Sequence, residues 1–152
     1  MPYSSIRNIG RVDIKGLDAN VKFSVPATKS MRFNFNASYS YQKALDMTSG
    51  SSNPGEQIPY TPVNSGSGSV SWQYRKLEGG YNLLYSGERW TGQNIRANLL
   101  TSYSEHSIFA RITIQKFRLM GEIINLLDTQ YQIIKDYPMP GRNYRITLSM
   151  DL

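Results

Sequence analysis

YPMPGRNYRITLSMDL, residues Tyr137 to Leu152, is the last stretch of the chain. A Pro-x-Pro-Gly knot runs directly into apolar side chains at Tyr144, Ile146, Leu148, Met150 and Leu152. These are interleaved with polar ones at Arg145, Thr147, Ser149 and Asp151. Period-two alternation marks a β-strand with two unlike faces. Here it continues to the final residue, where chains ordinarily fray.

The same alternation recurs upstream. "MRFNFNASYSYQ" sets Met31, Phe33, Phe35, Ala37, Tyr39 and Tyr41 against Arg32, Asn34, Asn36, Ser38 and Ser40. Val70, Trp72 and Tyr74 oppose Ser69, Ser71 and Gln73, and Tyr81, Leu83 and Tyr85 oppose Asn82, Leu84 and Ser86. Ile108, Ala110, Ile112 and Ile114 oppose Phe109, Arg111, Thr113 and Gln115. Leu119, Gly121 and Ile123 oppose Arg118, Met120, Glu122 and Ile124. The first segment, Arg11–Val25, alternates clearly only in its second half, with Leu17, Ala19, Val21 and Phe23 on one side. Seven strands are expected, and no helix.

The connections alternate in length. Pro26–Ser30, Arg75–Gly79 and the Lys116–Phe117 region are short; Lys43–Val63, Glu88–Glu105 and Asp128–Gly141 are long. A meander with its long loops at one end gives this rhythm, and outer-membrane barrels are built so. The Ser/Gly/Pro-rich "MTSGSSNPGEQ" is loop rather than linker, because strands of one kind flank it.

The chain has 17 Lys and Arg against 11 Asp and Glu, a formal charge of +6. The basic residues are scattered singly, which points to solvated or lumenal positions rather than a phosphate-binding patch, so no nucleic-acid partner is expected. Absence of cysteine excludes disulfide frameworks and thiolate metal sites. "MPYSSIRNIGRVDIKG" carries no apolar signal-peptide core, and no run of about 18 apolar residues exists to form a membrane helix. A barrel strand needs only about 9–11 alternating residues, so these observations leave a membrane barrel open.

Alternation alone suits a soluble sandwich equally well. The placement of the rings separates the two. Tyr39, Tyr41, Trp72, Tyr74, Tyr81, Tyr85 and Tyr144 sit towards strand ends on the apolar face. Amphipathic rings at both rims of an apolar band form the girdles of membrane barrels, whereas a soluble core favours Val, Ile and Leu.

No catalytic constellation emerges. His106 is the only histidine and is read as an exposed residue where a loop enters a strand; no nucleophile motif lies near it. "GSGS" (Gly66–Ser69) precedes no helix, so it is not a phosphate loop. Glu88 and Glu105 flank a loop without constrained separation, so they do not make a glycosidase pair. Arg89, Trp90, Arg96 and Tyr103 in one long loop are candidate ligand contacts, weighed against ordinary loop surface.

Beyond pattern, "NLLDTQY" (Asn125–Tyr131) followed by the Pro-Gly-Arg stretch and the last strand resembles the end of TonB-dependent outer-membrane receptors. "IPYTP" (Ile58–Pro62) and "GLDANVKF" (Gly16–Phe23) after an Asn-x-Gly stretch resemble the same family, in the style of siderophore- or vitamin B12-type receptors of Bacteroides-like bacteria. The final residue is Leu152, where the family more often has Phe. The resemblance implies an all-β, antiparallel, up-and-down transmembrane barrel segment of about seven strands. Residues 1–152 would be the C-terminal portion of a barrel of about 22 strands, with plug domain, TonB box and signal peptide absent from this stretch. It implies import of a scarce nutrient, an iron-siderophore or cobalamin, energised through TonB acting on the plug, and neither enzymatic activity nor a cofactor. It implies as partners outer-membrane lipid, the rest of the barrel and plug, and the barrel-assembly machinery. Tyr144, Ile146, Leu148, Met150 and Leu152 would form the strand that closes the cylinder and signals insertion, which accounts for alternation to the last residue. Two other readings stay open: a complete eight-stranded barrel, needing a further strand in Met1–Gly10 where none alternates, and a soluble β-sandwich stacking sugar on Trp72 or Trp90.

Overall fold

In a computed structural model, residues 10–51 and 54–151 are described. Leu152 and residues 1–9, where an eighth strand would lie, are outside this set. Seven strands form one sheet: β1 (Val12–Thr28), β2 (Met31–Asp46), β3 (Asn64–Tyr74), β4 (Leu77–Ser86), β7 (Tyr103–Ile114), β8 (Phe117–Ile124) and β11 (Asn143–Met150). Their spatial order follows the sequence and every pairing is antiparallel. Two ribbons interrupt the long loops: β5 (Arg89–Trp90) with β6 (Leu99–Leu100), and β9 (Gln132–Ile134) with β10 (Tyr137–Pro138). A 3-10 turn, Arg96–Asn98, precedes β6.

Two of the short connections are tighter than expected, shrinking to Lys29–Ser30 and Arg75–Lys76, while the third keeps two residues but moves by one, to Gln115–Lys116. Arg75 and Gln115 each open their turn at φ 53°. Pro26–Thr28 stays in the strand; Pro26 is accommodated on an edge strand next to a register shift between Pro26 and Thr28.

Register fixes the faces, because directly paired residues share one. One row runs Phe23, Phe35, Val70, Tyr81, Ile108, Ile123 and Tyr144. Trp72 pairs with Phe33, Ile112 with Leu119 and Leu119 with Leu148, all on this apolar face. The opposite face carries Ser24, Asn34 and Ser71, joined by side-chain hydrogen bonds of 2.9 and 3.4 Å, and Ser38 beside Ser67 at 2.7 Å. Lower rungs hold the ion pairs Glu78–Arg111 (2.9 Å) and Glu122–Arg145 (2.6 Å).

Among the described residues no second layer covers either face. Among the described residues only Ala44 and Leu100 are buried and apolar, while Tyr144, Ile146 and Leu148 are 72%, 81% and 69% exposed. A sandwich would bury this row against another sheet. The soluble-sandwich reading therefore fails on its defining feature. Among the described residues β1 pairs only with β2, and β11 only with β8, so the sheet is an open arc of wall.

Two adjacent glycines let aromatic rings lie flat on both sides of the arc. A Cβ on Gly79 would stand 2.8 Å from the Trp72 ring, and one on Gly80 2.5 Å from the Phe109 ring and 3.0 Å from the Val70 carbonyl oxygen. Gly80→Ala should destabilise the protein by about 1–3 kcal/mol through overpacking. Gly80→Ala with Phe109→Ala should recover part of that loss in thermal unfolding in detergent. No recovery would mean that the backbone contact, not the ring, sets the cost.

Candidate functional site

The long loops converge at the end of the sheet opposite the short turns. Each is tied down by specific bonds. Gln57 is buried against the top of β2: its side-chain oxygen accepts from Ala44 N (2.9 Å), and its amide nitrogen donates to the carbonyls of Gln42 and Thr61. This pins "IPYTP" and presents Tyr60, whose N–H donates to the Trp90 carbonyl at 2.6 Å. Asn94 N donates to Glu56 Oε2 at 3.2 Å, and Lys135 Nζ to the Ala97 carbonyl at 2.7 Å. The three loops thus form one connected platform.

At its centre lie two of the four candidate contacts of the Glu88–Glu105 loop, Arg89 and Tyr103. Arg89, only 4% exposed, donates to the Gln132 carbonyl and lies over the Tyr103 ring at 5.2 Å. Tyr103 stacks on Tyr131 with centroids 4.0 Å apart. The Tyr131 hydroxyl donates to Glu105 Oε2 at 2.5 Å. Burial, then the Glu105 side chain, pushes the Tyr131 phenol well up, so it remains a donor at every ordinary pH. Arg89 and Tyr103 are therefore brought together, with Tyr131, Glu105 and Gln132 as partners that no sequence periodicity marked. Trp90 stands apart, half-buried and paired with Leu99. Arg96 is exposed on the 3-10 turn. A cavity of about 400 Å³ opens between Leu99–Thr101 and Gln130–Gln132 beside this cluster.

His106 is not a loop residue. It lies within β7, paired with Leu83 on the apolar face, between the Tyr81 hydroxyl (2.5 Å from Nδ1) and Ser104 Oγ (3.0 Å from Nε2). Among the described residues no cluster of three or more His, Asp or Glu could hold a metal.

The NLLD and PGR segments form a clamp. Asn125 is fully buried at φ 52°, a conformation asparagine tolerates better than most residues. Its amide donates to the carbonyls of Thr129 (2.9 Å) and Pro140 (3.3 Å), and its oxygen accepts from Thr129 N (2.8 Å). Asp128 Oδ1 accepts from Arg142 N at 2.7 Å, and a Cβ on Gly141 would stand 2.5 Å from that oxygen. The motif residues thus lock the last long loop so that β11 starts in register with β8.

Against known families, residues 2–126 match the model described as TonB dependent receptor-like, beta-barrel. The chain belongs to this family. Its members are bacterial outer-membrane transport receptors, not enzymes. The sheet superposes on part of the siderophore receptor PiuA from Acinetobacter baumannii with a TM-score of 0.66 at 18% identity, covering 90% of this chain and 21% of that one. For the FrpB iron transporter from Neisseria meningitidis the F5-1 variant gives 0.62 at 16% identity, and the F3-3 variant 0.61 at 14%; each covers 90% of this chain and 23% of that one. At these identities the likeness is one of fold. The TonB-receptor chain thus spans between a fifth and a quarter of the length of these structures. No curated protein matches it.

Proposed function

We propose that this TonB-receptor chain forms the C-terminal wall and outer loops of a receptor that imports a scarce nutrient across the bacterial outer membrane. The observation that carries the reading is a single sheet, uncovered among the described residues, with one apolar face, one polar face and a tied loop platform at one end. The nutrient is an iron-siderophore, with cobalamin the other chemistry that the Bacteroides-like style of its motifs favours. TonB, acting on a plug, supplies the energy; the rest of the barrel, the barrel-assembly machinery and lipid are the other partners. Arg96 and Trp90 are the loop residues placed to meet a ligand, while Arg89 and Tyr103 hold the platform in shape. β11 closes the cylinder against the missing strands.

The test is uptake of radiolabelled ferric siderophores and of labelled cobalamin by cells whose only such receptor contains this chain. Saturable uptake of one of them, lost when TonB is deleted while surface binding persists, is expected. Arg96→Ala with Trp90→Ala should weaken binding about tenfold without reducing receptor at the surface, given the usual loss when a central aromatic or Arg contact is truncated. Uptake that ignores TonB, or binding of neither compound, would sink the reading.

A further inference from the structure

Cations that look scattered along the sequence are gathered by the meander at one end of the sheet. The half of the wall from the Lys22–Asn36–Ser69–Asn82–Ser107 rung down to the short turns carries nine Lys and Arg against three acids. The loop half of the described residues carries seven against eight. Among the described residues the positive excess thus lies wholly at the short-turn end. All three acids there are already paired: Glu78 with Arg111, Glu122 with Arg145, and Asp151 with Arg118. Lys22, Lys29, Arg32, Arg75, Lys76 and Lys116 have no carboxylate within 4.0 Å among the described residues.

Every short turn contains a lysine: Lys29, Lys76 and Lys116. Arg75 adds a fourth cation, and its guanidinium lies 5.3 Å over the ring of Tyr74, on the lipid-side face. Tyr74, Trp72 and Phe117 form the aromatic band on that side, so these cations lie in the plane just beyond it, at headgroup level. Between the turns joining β1 to β2 and β3 to β4 a cavity of about 530 Å³ is lined by Lys29, Arg32, Gln73 and Arg75.

We infer that the short-turn rim binds the phosphodiester headgroups of anionic phospholipid in the adjacent leaflet, with Lys29, Arg75, Lys76 and Lys116 as the contacting cations. Among the described residues, pairing within the chain has taken up every side-chain carboxylate at this rim, and a rim of uncompensated cations in a headgroup plane is complementary to negative lipid. Each cation near such a surface favours it about fivefold over a zwitterionic one. The inference rests on the membrane reading above.

The test uses the intact receptor reconstituted into nanodiscs of equal parts phosphatidylglycerol and phosphatidylcholine, with retained lipids counted by native mass spectrometry. Wild type should retain phosphatidylglycerol over phosphatidylcholine by at least about tenfold. Lys29→Gln, Arg75→Gln, Lys76→Gln and Lys116→Gln combined should bring the ratio near parity, while Lys29→Arg, Lys76→Arg and Lys116→Arg combined keep it. Lys15→Gln with Lys43→Gln and Arg96→Gln, at the loop end, should leave it unchanged. No wild-type preference, retention of preference in the glutamine variant, or equal loss in the loop-end variant would overturn the inference. So would displacement of the lipid by inorganic phosphate, which would assign the rim to a soluble anion. A receptor that inserts and transports yet shows no preference leaves the function reading standing. One that never enters the outer membrane overturns both.

Discussion

Val70→Arg is expected to keep the receptor out of the outer membrane, whereas Ser69→Arg next to it is expected to be tolerated. Val70 pairs with Phe35 on one side and Tyr81 on the other, near mid-height of the apolar face. Phe35 in turn stacks on Phe23 at 4.7 Å, so the guanidinium would emerge among rings with no carboxylate beside it in its paired positions. An arginine at the bilayer midplane on a lipid-facing site costs about 2–4 kcal/mol. Ser69 points the other way, between Asn36 and Asn82, where water and amides solvate a charge. Protease shaving of intact cells at matched expression reads the difference. Equal loss at both positions would argue that this sheet is not a wall between lipid and lumen.

The second large effect should come from Asn125→Ala. This side chain makes three bonds in a fully buried position and crosses from the end of β8 to the Pro140 carbonyl just before β11. Removing it takes the side-chain partner from the half-buried Thr129 N–H and from two carbonyls, at about 1–3 kcal/mol in total once water meets the exposed Pro140 side. The φ of 52° adds a cost for alanine. The loop over residues 125–142 should then become a site of proteolytic nicking, with fast exchange of the Thr129 amide. Asn125→Asp keeps the acceptor for Thr129 N but sets a carboxylate against two carbonyls, and should be no better. Wild-type protection in both variants would move the clamp's strength to Asp128 and Arg142.

The wall was legible because lipid on one side and water on the other impose period two along β2, β3, β7 and β11. Once Phe33 and Arg32 are assigned to opposite faces, antiparallel pairing carries the assignment across the sheet. Alternation faded over Val12–Gly16 for a physical reason. There the apolar-face positions are Asp13 and Lys15, 3.9 Å apart, above the lipid where no hydrophobic selection acts. The β5–β6 and β9–β10 ribbons left no periodic trace, since two- and three-residue strands depend on tertiary bonds such as Tyr60 N to the Trp90 carbonyl. His106 was misplaced because a polar ring on the lipid side is stabilised by Tyr81 and Ser104, partners that adjoin it only across strands or two residues away. The cationic rim escaped notice because Lys29, Lys76 and Lys116 are about forty residues apart and meet only through the hairpin order.

Strand length varies steeply around the arc. β1 and β2 have 17 and 16 residues, whereas β8 and β11 have 8 each. At about 3.3 Å per residue and a tilt of about 40°, the tall side rises about 43 Å and the low side about 20 Å, against an apolar band of about 25 Å. The mouth is therefore sloped, like a parapet on one side and a sill on the other. Over the low side the loop carrying the β9–β10 ribbon stands in place of strand, and its Lys135 reaches across to the Ala97 carbonyl.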